Sequence, residues 1–211
     1  MAYDPTTAPV AGKEPMLLLD VTGSMTWPAS EGGSVSRKSV IEEAISIVVA
    51  ALEKEDSEAA NEEGGGGLRT VTFADGRAAD IEDLNSGNLR TKMGRINWEG
   101  GTVILPGWNK LMEVYAEEFG RKPVSLRPKL LALIITDGEA RDFHQFAQTL
   151  KSLGGSVYVE LAILGYGAEH DKALKDYQSA SEANPGHVEV RSFGSQTDPQ
   201  EIAKGLLAMI A

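Results

Sequence analysis

The chain has 211 residues, a formal net charge of −11 at pH 7 and no cysteine. That length suits one domain with a sizeable core, the charge opposes nucleic acid and acidic membrane surfaces, and the lack of thiols excludes disulfide staples and thiolate metal sites. No run approaches the ~18 apolar residues of a spanning helix, and the first fifteen residues, with Pro5, Pro9 and Pro15, lack the apolar segment of a signal peptide; the expectation is a soluble, cytoplasmic protein.

Residues 1–14 read as a flexible arm ahead of a single domain over 15–211. Met16 to Asp20 is an apolar run expected to form a buried first strand. A loop to Ser36 follows, then a helix from Arg37 to about Lys54, with Val40, Ile41, Ala44, Ile45, Val48, Ala51 and Leu52 at three- and four-residue spacing. Glu53 to Glu63 and the glycines 64–67 read as a solvated helix end and a linker. Leu68 to Phe73 is a second strand. Asp75-Gly76 signals a hairpin into an antiparallel third strand, Ala78 to Leu84. The turn-rich stretch Asn85 to Gly101 has room for a short helix.

Thr102 is placed to cap a helix from Val103 to Phe119, with Pro106 tolerated near its first turn. Lys129 to Thr136 is the next buried strand. Asp142 is placed to cap a helix from Phe143 to about Leu153. Val157 to Leu164, a helix from Asp171 to Ala183, and His187 to Phe193 come next. A closing helix spans Pro199 to Ile210, with Asp198 as its cap. The alternation predicts an α/β, doubly wound, mostly parallel six-stranded sheet with one antiparallel edge strand and helices on both faces.

Three pieces of this chain end strands or open helices with oxygen-bearing side chains. Asp20, Thr22 and Ser24 follow the first apolar run, Thr102 follows Gly100-Gly101, and Asp137 follows Ile134-Ile135-Thr136. Open α/β sheets bind ligands at the carboxyl ends of their strands, and hard divalent cations prefer oxygen donors. Singly, each piece has an ordinary use: a strand-end acid bonding amides, a turn former, a helix cap. Together they resemble the metal-ion-dependent adhesion site (MIDAS) of von Willebrand factor A (vWA) domains, whose pattern is Asp-x-Ser-x-Ser, a distant Thr and a distant Asp within Thr-Asp-Gly. Thr22 departs from the first Ser but keeps the hydroxyl.

The resemblance implies a stand-alone intracellular A domain. It implies that Thr22 and Ser24 coordinate the metal directly, that Thr102 does so directly or through water, and that Asp20 and Asp137 commonly act through waters or one of them binds directly. The implied metal is Mg2+, with Mn2+ or Ca2+ as substitutes. It further implies an open coordination position that a partner's Asp or Glu fills, and an adaptor role of the kind found beside AAA+ ATPases. The expectation is a protein-binding module and not an enzyme, with no nucleic acid or membrane partner. The alternative is a metal-dependent hydrolase, most naturally a phosphatase of the haloacid dehalogenase kind. That class needs a second acid as proton donor where this chain has Thr22. Neither a phosphate-binding Gly-x-x-x-x-Gly-Lys-Ser/Thr loop nor a Gly-x-Ser-x-Gly elbow occurs. Trp27 and Trp98 adjoin two of the pieces and are candidate partner anchors. Glu139, Asp142 and His144 are candidates for the rim, while His170 and His187 read as ordinary histidines.

Overall fold

A computed structural model describes residues 12–59 and 67–210. Of the arm expected over 1–14, residues 1–11 lie outside the described residues, as do 60–66 of the expected linker. Residues 13 and 14 are not arm: the first strand, β1, runs Lys13–Asp20, because Lys13 and Glu14 still pair with Lys129 and Leu130. The remaining strands are β2 (Leu68–Ala74), β3 (Arg77–Leu84), β4 (Lys129–Thr136), β5 (Val157–Leu164) and β6 (Val188–Gly194). They form one sheet in the order β3-β2-β1-β4-β5-β6, parallel except for β3. The turn joining β2 to β3 has positive φ at both Asp75 and Gly76, which matches the strand twist and which Asp-Gly adopts at little cost.

Side-chain alternation divides the sheet between two cores. Met16, Leu18, Val71, Phe73, Ala132, Ile134, Leu161 and Ile163 face one side. Helices α3 (Leu105–Phe119), α4 (Phe143–Lys151) and α5 (Ala168–Ala183) cover that side. Leu17, Leu19, Leu133, Ile135, Ala162 and Leu164 face the other, under α1 (Arg37–Ala59), the short α2 (Leu89–Gly94) and α6 (Pro199–Ile210). The architecture is the doubly wound sheet expected. The central strands β1 and β4 are buried from Met16 to Asp20 and from Leu130 to Thr136.

Several boundaries differ. The α1 helix continues five residues beyond Lys54, into the acidic stretch; Glu, Lys and Ala are good helix formers, and charge alone does not stop a helix. The α3 helix starts at Leu105 and not at Val103, and neither Thr102 nor its N-cap Ile104 provides a side-chain cap. Asp142 caps that helix instead, accepting the Ile104 and Leu105 amides at 2.9 Å each, and it makes no cap bond to its own helix α4. The Asp198 expectation holds: its Oδ1 accepts the Gln200 amide at 2.9 Å.

Candidate metal centre

The adjacency of β1 and β4 brings Asp20 and Asp137 to the same sheet edge although they are far apart in sequence. Beyond Asp20 the chain turns through a 3-10 segment, Gly23–Thr26, that points Thr22 and Ser24 back toward the strand end. Four loops meet there. Gly23 N donates to Gly100 O at 3.1 Å, Asp75 N to Gly101 O at 2.7 Å, and Arg141 N to Thr102 O at 3.0 Å. Gly100 is at φ +86°, and a Cβ there would lie 2.7 Å from the Asp75 Cβ, so close approach of these loops depends on it.

Thr22 is the hub. Its Oγ1 donates to Asp20 Oδ1 at 2.6 Å, which uses its single proton. The contacts from Thr102 Oγ1 at 3.0 Å and Ser24 Oγ at 3.2 Å are therefore donated to Thr22, and its lone pairs serve both hydroxyls. Asp20 Oδ1 also accepts the Thr22 amide at 3.0 Å, and Asp20 Oδ2 accepts the Thr136 hydroxyl at 2.7 Å. Four of the five expected residues, Asp20, Thr22, Ser24 and Thr102, thus form one hydrogen-bonded cluster. Asp137 stands against it through charge: burial first, and the Asp137 carboxylate second, push the Asp20 carboxyl up to about 7 despite the bonds from Thr22 and Thr136.

The donor chemistry fits a hard divalent cation. It comprises two carboxylates and three hydroxyls, all oxygen, with no group of three or more acids, histidines or cysteines placed for a metal among the described residues. Burial leads in raising the Asp20 carboxyl and the Asp137 charge adds to it, so a cation beside these acids would favour the ionised form. Asp20, Thr22, Thr102 and Asp137 are buried, while Ser24 is partly exposed and opens the cluster to solvent. A cleft of about 500 Å³ adjoins it, lined among others by Val21, Asp75, Arg77, Asn97, Glu99 and Gly100.

Three participants escaped the sequence reading. Arg37, buried at the start of α1, donates from an Nη to Asp137 Oδ2 at 3.0 Å. A cation in the first turn of a helix opposes the macrodipole, so Arg37-Lys38 after Ser36 was the available sequence signal. Thr136 secures Asp20 as described. His170 is a buried core histidine, within the expectation, but its place beside the cluster was not foreseen: its Nδ1 donates to the Asp137 carbonyl at 3.2 Å.

Among the rim candidates, Glu139 is partly buried, its amide donates to Asp137 Oδ1 at 3.2 Å, and burial and then Asp137 raise its carboxyl. His144 pairs with Asp176 on α5. Trp27 is 56% exposed near the cluster. Trp98 is buried with the Lys38 ammonium 5.2 Å from its ring centre, which makes it part of the packing and not an exposed anchor. His187 stacks on Tyr158 and bonds the Val157 carbonyl.

No protein-family model matches this chain, and no curated protein matches it in sequence. Solved structures do match its fold. The VWA domain of SpRpn10 aligns with a TM-score of 0.58 at 12% identity, covering 94% of each chain. Manganese-loaded TRAP protein of Plasmodium vivax aligns at 0.58 and 15%, covering 96% of this chain and 74% of that one. The PilB minor pilin of Streptococcus sanguinis aligns at 0.63 and 13%, covering 97% of this chain. This chain spans 62% of the pilin's length. At such identities the likeness concerns the fold, and the fold is that of vWA domains.

Proposed function

We propose that this chain is a metal-dependent protein-binding module, an adaptor whose vWA fold carries a working MIDAS built from Asp20, Thr22, Ser24, Thr102 and Asp137. One observation carries the reading: a Thr22 hydroxyl whose lone pairs are shared by Ser24 and Thr102 and whose proton is held by Asp20. That arrangement gathers neutral oxygen donors from two loops around one anchored atom. Bound magnesium would supply a Lewis-acidic attachment point for a partner's Asp or Glu. Thr22, Ser24 and Thr102 would hold it with neutral oxygens once the Ser24 and Thr102 hydroxyls turn their protons away and free the Thr22 lone pairs, and Asp20 and Asp137 would supply the negative charge. Asp20 also orients Thr22, because its Oδ1 accepts both the hydroxyl and the amide of that residue. Thr136 in turn fixes Asp20.

Mn2+ or Ca2+ would fit the same oxygen set. The reading is of a non-enzymatic, cytoplasmic adaptor of the kind that serves AAA+ ATPase systems. The acidic charge, unsuited to nucleic acid, is in keeping with a protein partner. The manganese-loaded state of the Plasmodium vivax neighbour is in keeping with divalent-metal chemistry on this fold.

The test is calorimetric titration of the protein with Mn2+, alone and in acetate as a model carboxylate. Weak binding that acetate tightens is the expected result, by reciprocal linkage between ion and carboxylate. Absence of any binding, both by the wild type and by a folded variant without the Arg37 charge, would overturn the metal centre. Magnesium-dependent hydrolysis of a generic phosphate ester would replace the adaptor reading with the hydrolase.

A further inference from the structure

The cluster already contains a cation of its own. Arg37 and Asp137 meet at 3.0 Å with side-chain exposures of 3% and 0%, so the pair is removed from solvent. The residues around the guanidinium leave room for it. Gly165 is at φ +116°, and a Cβ there would lie 3.1 Å from an Arg37 Nη and 3.4 Å from His170 Nδ1. The Tyr166 ring centre lies 5.7 Å from Arg37 Cζ. The grip on Asp137 is nevertheless single: one Nη reaches one carboxylate oxygen, while Asp137 Oδ1 takes the Glu139 amide. Arg37 Nε is buried without a hydrogen-bond partner among the described residues. A buried guanidinium usually forks onto a carboxylate through two bonds; here the charge is confined but the carboxylate is shared.

We propose that Arg37 is a resident cation of the site, one that balances Asp137 when no divalent ion is bound and holds down the affinity for such an ion. The proposal rests on the metal-centre reading given above and adds its regulation. The reasoning is electrostatic. Asp20 and Asp137 carry two negative charges when ionised, and Arg37 returns one positive charge at a contact distance that water cannot screen. A divalent ion must either displace the guanidinium from Asp137 or tolerate a positive charge confined beside it by Gly165, Tyr166 and His170. Both lower its affinity. The same pair stabilises the ion-free protein, so the site can remain folded and empty until ion and partner carboxylate arrive together.

The experiment compares wild type, Arg37→Met and Arg37→Lys by calorimetry with Mn2+ and with Mg2+, alongside thermal unfolding with and without each ion. Arg37→Met keeps much of the side-chain length and loses the charge. It is expected to melt lower than wild type without ion, to bind Mn2+ at least about tenfold more tightly, and to gain more from the ion in melting temperature. Arg37→Lys keeps the charge and is expected to stay near wild-type affinity, which a purely space-filling role would not explain. Equal or weaker Mn2+ binding by folded Arg37→Met would overturn the proposal and leave the metal centre standing. Failure of both wild type and Arg37→Met to bind either ion would overturn the metal centre and the proposal with it.

Should Arg37→Met not fold, the wild-type Arg37 guanidinium N–H resonances are followed during Mg2+ titration. A shift that tracks site occupancy supports competition for Asp137, and resonances unmoved at saturation overturn it.

Discussion

Asp20 and Glu160 are both buried acids on interior strands of the sheet, and both have their carboxyls pushed up to about 7. Their surroundings differ. Asp20 has both oxygens engaged, by the Thr22 amide and hydroxyl and by the Thr136 hydroxyl. Glu160 has an oxygen, Oε2, with no hydrogen-bond partner among the described residues. Desolvation leads in each case and a second acid adds to it: Asp137 for Asp20, and for Glu160 the Glu189 that the β5–β6 register sets directly beside it. An upward shift therefore does not by itself mark a site. What separates the two is the company of neutral oxygen donors, present around Asp20 through Thr22, Ser24 and Thr102.

The largest expected effect tests that distinction through metal affinity. Asp20→Ala removes the carboxylate that orients Thr22, and Mn2+ affinity is expected to fall by about tenfold or more. Thr22→Ala removes the hub and is expected to do the same. Glu160→Gln should leave the calorimetric isotherm unchanged, since Glu160 lies in the middle of β5, away from the four loops. A loss at Glu160 equal to that at Asp20 would show that net charge, and not the donor cluster, sets the affinity.

The next effect is on stability as pH changes. An acid whose folded value lies above its unfolded value keeps its proton in the native state between the two. The native state then binds more protons than the unfolded chain, and stability falls as pH rises through that interval. The interval runs from 3.8 to about 7 for Asp20 and from 4.5 to about 7 for Glu160. The ion-free protein is thus expected to lose urea resistance steadily from about pH 4 to pH 7. Asp20→Asn and Glu160→Gln should each flatten part of this slope. Saturating Mg2+ should flatten the part that Asp20 contributes and leave that of Glu160. Equal sensitivity of the two parts to Mg2+ would remove the contrast between these acids.

Much of this arrangement was legible in the sequence because it is written in local patterns. Apolar runs gave the buried strands, Asp75-Gly76 gave the hairpin, and strand-end oxygens marked Asp20, Thr22, Ser24, Thr102 and Asp137 as residues the sheet would gather. What stayed hidden depends on pairing across the fold. Arg37 reads locally as the first residue of an amphipathic helix, and only the fold brings the start of α1 against Asp137, which follows β4, and Gly165, which follows β5. Asp142 precedes α4 and has the residue type of its cap, yet the α3 amides lie within its reach. Trp98 looked like a loop aromatic free to meet a partner, but the loop folds it inward beneath Lys38. Helix α1 outran its apolar stripe because helical propensity persists in a charged sequence once packing has nucleated it.

Asp142 supplies the smallest effect and the finest separation. Like Asp20, it has both oxygens bonded, in this case by the Ile104 and Leu105 amides at the start of α3. Unlike Asp20, it touches no hydroxyl of the cluster in those bonds, and its connection to Thr102 runs along the backbone that it caps. Asp142→Ala leaves two helix-start amides without this acceptor and is expected to cost about 1–2 kcal/mol of stability, as loss of an N-cap does. Its effect on Mn2+ affinity should be a few-fold at most, arising from a looser Thr102, and should shrink at lower temperature as the α3 start orders. A variant that melts lower yet binds Mn2+ nearly as wild type would show that a well-bonded acid near the sheet edge is not enough. A loss as large as that of Asp20→Ala would instead mean that the fixed position of the Thr102 loop, more than the Asp20 carboxylate, makes the cluster a metal centre.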